Sequence, residues 1–136
     1  MSANPPLRKP RHADGRLMTE DEIWGLDGRE LDLHAHHCIV DGDPVWLLPQ
    51  NRSRVPHYSS DIAAAFTVDR PEWRWEMEDY NRGHFDVTVY MRHDSAPGKP
   101  FSTGCYEQTL DRKPTPADHA KARCIAALLL AAKIGE

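Results

Sequence analysis

No two of the three cysteines in this chain, Cys38, Cys105 and Cys124, form a CxxC pair, and their number is odd. A disulfide framework is therefore not expected, and a reducing cytoplasm suits this usage better. Long hydrophobic runs are lacking too. The longest, Cys124 to Ala132, falls far short of the roughly 20 residues that span a bilayer. The start, "MSANPPLRKPRHADGR", is basic but has no apolar run after it, so it does not read as a signal peptide. Positive charge is in short supply. With 17 Lys+Arg against 21 Asp+Glu the formal charge is −4, which argues against a general nucleic-acid binder. There is no Gly-rich phosphate loop and no complete catalytic motif, so neither an enzyme nor a cofactor is expected.

What is present suits one domain. The chain has 136 residues, a hydrophobic fraction of 40% and 11 prolines, which implies a small core with long loops or tails. Residues 1–17 read as a flexible N-terminal tail, because Pro5, Pro6 and Pro10 block helix and few residues there can join a core. Residues 18–136 read as a single domain.

Within that domain "TEDE" is a capping box, with Thr19 at N-cap and Glu22 at N3, and "DGRE" repeats the pattern with Asp27 and Glu30. A short first turn and then a helix from about Gly28 to Cys38 are predicted. Leu31, His34, Ala35 and Cys38 share one face of that helix, and His36 points away. Trp46, Leu47 and Leu48 are expected at the core edge. "SSDIAAAF" predicts a second helix capped by Ser59 or Ser60 and ending before Pro71.

"WRWEMED" and "HFDVTVYMR" alternate strictly, with Trp73, Trp75, Met77, Phe85, Val87, Val89 and Met91 on the inward side. With "YNRG" as the turn between them they make a β-hairpin. "FSTGCYEQTL" can add a weaker third strand. "TPADHAKARCIAALLLAAKIGE" is the clearest helix, capped by Thr115 with Pro116 at N1 and ended by Gly135. Trp73, Trp75, Phe85, Val87, Val89, Ile125, Leu128 and Leu129 should share one core. The fold class is α+β, a small α/β sandwich with an antiparallel sheet of two to four strands and helices packed against it.

Three stretches, "GRELDL", "PHYSSDIAAAF" and "ARCIAALLLAAK", together with the aromatic strand "WRWEMED", resemble the phage ABA-sandwich domain proteins in the same order over roughly residues 28–134. The resemblance implies helices on an antiparallel sheet, a gene of a bacteriophage or prophage, and the cytoplasm of the infected bacterial host. It implies no activity and carries over no catalytic residue.

Four stretches can carry chemistry. In "HAHHC", His34 and Cys38 at i, i+4, with His37 beside them, suit zinc. The ligand set is incomplete, and Cys105, Cys124, His57, His84, His93 and His119 form no recognisable second half, so no bound metal is expected. The same cysteines and histidines allow a Cys–His nucleophile on paper, without a local signature. In "NRSRVPHYSSD", Arg52, Arg54, His57, Tyr58, Ser59 and Ser60 gather at a helix start, where free N–H groups favour anions and arginines add bidentate phosphate contacts. The plain alternative there is helix capping. Finally, Arg74, Glu76, Glu78, His84, Asp86, Thr88 and Tyr90 make the outer face of the hairpin, either solvated or a protein-contact surface.

Three functions fit. One is a non-enzymatic phage counter-defence protein that sequesters a host signalling nucleotide, cyclic or otherwise phosphate-bearing, at residues 52–60. Another inhibits a host defence protein by direct binding. The third is a small accessory phage protein without a ligand. A homo-oligomer is compatible with each.

Overall fold

Side-chain oxygens mark where helices begin. In the computed structural model, which describes residues 6–43, 48–80, 84–92, 101–110 and 112–135, Thr19, Asp27, Asp61 and Thr115 each accept a backbone N–H at a helix start. The helices are α1 (Glu20–Trp24), α2 (Gly28–Ala35), α3 (Ile62–Ala65) and α4 (Pro116–Ile134). Thr19 and Thr115 form reciprocal boxes with Glu22 and Asp118, so two of the four orphan donors at each start are satisfied. Glu30, expected to close a box with Asp27, instead meets Arg52 Nη1 at 3.0 Å.

The second predicted helix is corrected at its start: its cap is Asp61, not Ser59 or Ser60. It ends at Ala65, before Pro71 as expected and six residues short of it. The β-branched Thr67 and Val68 follow it. Thr67 turns its hydroxyl back onto the Ala64 carbonyl at 2.6 Å, and Val68 is fully buried. Both changes favour a turn over another helical turn.

The first long helix does reach residue 38, but not as pure α-helix. After Ala35 it widens into a π-helical turn, His36–Val40. Such a turn rotates each residue by less than an α-helix does, so side chains beyond it land on a different face. His36, expected to point away, is buried: it follows Asp32 by four residues and Leu33 by three, on the buried side of the helix, and Tyr58 covers it.

Strands β1 (Trp73–Tyr80), β2 (His84–Arg92) and β3 (Phe101–Thr109) form an antiparallel sheet in the order β1-β2-β3. Trp75 pairs with Val89 and Met77 with Val87, as alternation requires. The third strand, expected to be weak, is nine residues long. Trp46, Leu47, the 81–83 turn and His93 lie outside the described residues.

Helix α4 lies across the sheet and is itself covered by α1, α2, the π turn and α3. Cys124 to Ala131 are buried without interruption. The helix is thus apolar all round, as expected of one packed on two sides, where sequence suggested one broad face. Gly104 of β3 permits the close approach: a Cβ there would lie 2.0 Å from the Ala126 carbonyl oxygen. The eight expected core residues do share one core, with Trp75 half-buried at its margin. Fold class α+β is the result.

The segment read as a free tail is, from residue 6 on, tied to this domain. Arg8 N donates to Cys38 O at 3.0 Å, and Met18 N donates to Pro10 O at 3.0 Å. Leu7 packs on the core and Pro10 is buried. His12 Nε2 lies 2.6 Å from Glu22 Oε2. Apolar Leu7 and Pro10 are enough to dock a segment that is otherwise basic and proline-rich.

Candidate functional site

The 49–61 loop opens with a 3-10 turn, Pro49–Arg54, and passes the start of α2. Its anchor is a residue that the sequence did not single out. Asp32, on the buried side of α2 and 1% exposed, accepts the Ser59 N–H at 2.7 Å and Arg29 Nη1 at 2.8 Å. Arg29 then holds the loop's carbonyls. Its Nη2 donates to Val55 O at 2.8 Å and to Arg52 O, while Nη1 reaches Pro56 O at 3.5 Å. His57 Nδ1 lies 3.1 Å from Arg29 Nη1 and 4.0 Å from Asp32 Oδ2.

The six residues expected to face a phosphate are therefore split. Arg52 is exposed and paired with Glu30, and Arg54, His57 and Ser60 are exposed. Tyr58 and Ser59 point inward, 2% and 8% exposed. Tyr58 cannot stack on a base from there, because it lies stacked on the His36 ring with its hydroxyl 2.6 Å from His36 Nδ1. The loop N–H groups are also in use. Ser59 N binds Asp32, and Ser60 N and Asp61 N donate to His57 O at 3.2 and 2.9 Å. An anion is bound at this loop, and it is the chain's own Asp32.

The histidine stretch is interior. Burial pushes the Cys38 thiol up to about 12 and so opposes the thiolate that zinc prefers. Burial likewise holds His34, His36 and His37 below the usual imidazole value. Among the described residues no group of three or more His, Cys, Asp or Glu is placed to hold a metal. The π turn is clasped by Arg70, itself 6% exposed, whose Nη2 donates to Ile39 O at 2.5 Å.

A concave surface does exist elsewhere. It lies between α3, the start of α4 and the inward side of β1, with a volume of about 300 Å³. Ile62, Phe66, Trp75, Met77 and Val87 supply its apolar wall, Pro116, His119 and Arg123 its α4 side, and Glu76 of β1 also borders it. Its origin is geometric. Because α3 stops after four residues, no helix among the described residues continues over β1 beyond Trp75. Met77, expected inward, does lie on the inward side of the sheet, yet it is 57% exposed, and Phe66 is 58% exposed. Arg123 seals one end, its guanidinium 3.8 Å above the Trp75 ring and 4.7 Å from that of Phe66. Trp75 Nε1 donates to Asp69 Oδ1 at 2.7 Å, which holds the indole flat under that cation.

On the other side of the sheet, Arg74, Glu76 and Glu78 are exposed and Asp86 and Thr88 half-buried. Glu78 is opposite Asp86, and Asp86 is opposite Glu107. This row of acids spans all three strands. The outer face read from the hairpin holds for Arg74, Glu76, Glu78, Asp86 and Thr88, and Glu107 of β3 adds to its acids; the side chains of His84 and Tyr90 lie outside the described residues.

Sequence reasoning missed Phe66, Met77 and Arg123 as a group. The signal was present in part, since "WRWEMED" alternates for longer than a helix ending at Ala65 can cover.

Comparison with family models, with curated proteins and with solved structures finds no match for this chain.

Proposed function

We propose that this protein acts by binding another protein, without chemistry of its own, and that the groove beside β1 receives the partner's apolar side chains. The observation that carries this reading is an apolar cavity of about 300 Å³ flanked by two large hydrophobic residues, Phe66 and Met77, both more than half exposed. Exposed apolar surface around a concavity is the usual mark of a binding face. The volume is at the small end for pockets that enclose a drug-sized ligand, which favours side chains over a whole nucleotide. Sequestration of a phosphate-bearing nucleotide at 52–60 is the weaker reading. The N–H groups it needs at Ser59, Ser60 and Asp61 already donate within the chain.

In the setting implied by the resemblance to phage proteins, the partner would be a host defence protein in the infected cell. The test of the groove itself needs no partner. A neutral apolar dye such as Nile red should bind saturably. Met77→Asp should weaken it about tenfold, from the loss of one apolar contact and a charge placed on the wall, and Arg52→Ala should leave it unchanged. Dye binding indifferent to Met77→Asp would show that the groove is not the binding face.

A further inference from the structure

We infer that the partner of this surface is an extended segment that adds to the edge of β1 as a fourth strand, carrying apolar and basic residues in alternation. The inference rests on the groove being the binding face and names what enters it.

Strand β1 is eight residues long and stands at one edge of the sheet. Among the described residues no strand pairs with its outer side, so every second residue there offers an N–H and a C=O to a newcomer. The two faces flanking that edge differ sharply. On one side lie Trp75, Met77 and the apolar groove. On the other stand Arg74, Glu76 and Glu78, all exposed, with the acids dominant towards the end of β1, where Glu78 is continued across the sheet by Asp86 and Glu107. A strand laid about 4.8 Å outside β1 sends alternate side chains to these two faces. Those on the groove side must be apolar to fill it. Those on the acidic side gain from being basic, because opposite charges attract across neighbouring strands.

Backbone pairing supplies affinity in such an addition, and the alternating side chains supply selectivity.

The test uses the full chain and labelled peptides matching the eight residues of β1. One alternates lysine with valine and phenylalanine. A second has glutamate for lysine. A third has the composition of the first in a scrambled, non-alternating order. Two more carry backbone N-methyl groups on one or the other set of alternate residues. Fluorescence anisotropy reads binding, and Nile red reads occupation of the groove in parallel. The alternating lysine peptide should bind and displace the dye. The glutamate peptide should bind at least about tenfold more weakly, and one of the two N-methylated peptides should lose binding. Glu78→Lys, which does not line the groove, should weaken binding of the lysine peptide and strengthen that of the glutamate peptide without altering dye binding.

Equal binding of all peptides, or none by the alternating one while the dye still binds, overturns the strand-addition inference and leaves the groove standing. Absence of both dye and peptide binding overturns the groove reading itself.

Discussion

Replacing Asp32 should do more damage than replacing any residue of the loop it holds. Its carboxylate is 1% exposed and makes two charge-assisted hydrogen bonds, to Ser59 N at 2.7 Å and Arg29 Nη1 at 2.8 Å. In Asp32→Ala the buried Ser59 N–H loses its acceptor, a penalty of about 1–3 kcal/mol. Arg29 loses its counter-charge but keeps the Val55 and Arg52 carbonyls and is 29% exposed, so its share is screened and smaller. A total of about 3 kcal/mol is expected, at the low end for breaking a buried pair. Asp32→Asn keeps an acceptor for Ser59 but sets an NH2 donor against Arg29 Nη1, so it should cost about 1–3 kcal/mol through the loss of the Arg29 contact alone. Urea denaturation followed by tryptophan fluorescence measures both, with an unchanged m-value as the sign that the folded state is the same. A loss below about 1 kcal/mol for Asp32→Ala would refute the assignment of this carboxylate as the loop's anchor.

Three further outcomes follow from the packing and the buried histidines. Gly104→Ala places a methyl 2.0 Å from the Ala126 carbonyl and 2.6 Å from Leu130 N, so α4 must lift from β3; a loss of about 3 kcal/mol or more in the same assay is expected, and a loss under about 1 kcal/mol would show that the contact is looser. Burial lowers the pKa of His34, His36 and His37 in the folded state, so the unfolded chain binds protons first as pH falls; stability should be full above about pH 6.5 and drop as the pH descends from there towards the folded values, and a flat profile between about pH 7 and 5 would contradict their burial. Removing residues 1–12 should cost about 1–3 kcal/mol, since Leu7, Pro10 and the Arg8–Cys38 bond are lost, and an unchanged urea midpoint would return the segment to the status of a free arm.

The parts of the fold that were legible in the sequence are those decided locally. Thr19 with Glu22, and Thr115 with Asp118, satisfy their own helix starts within four residues, so the caps read directly. Alternation placed Trp73, Phe85, Val87 and Val89 together because pleating alone determines side. What failed depended on distant partners. Asp32 reads as an ordinary acid on a polar helix until Ser59, 27 residues away, meets it. His36 faces inward on the side of the buried Asp32 and Leu33, and it is Tyr58, 22 residues away, that closes over it. Arginines beside serines at a helix start look like an anion site, yet here the anion is internal. The groove was harder still. It arises where α3 stops short beneath an edge strand, a vacancy between elements that no single residue encodes.

Amide exchange read residue by residue, with and without the alternating lysine peptide, tests the binding face most directly. Strand addition should slow exchange at every second residue of β1 and leave the 52–61 loop and the far edge, β3, unaltered. Protection centred on residues 52–61, or none along β1 at saturating peptide, would contradict the assignment of the groove and its edge strand as the surface through which this protein acts.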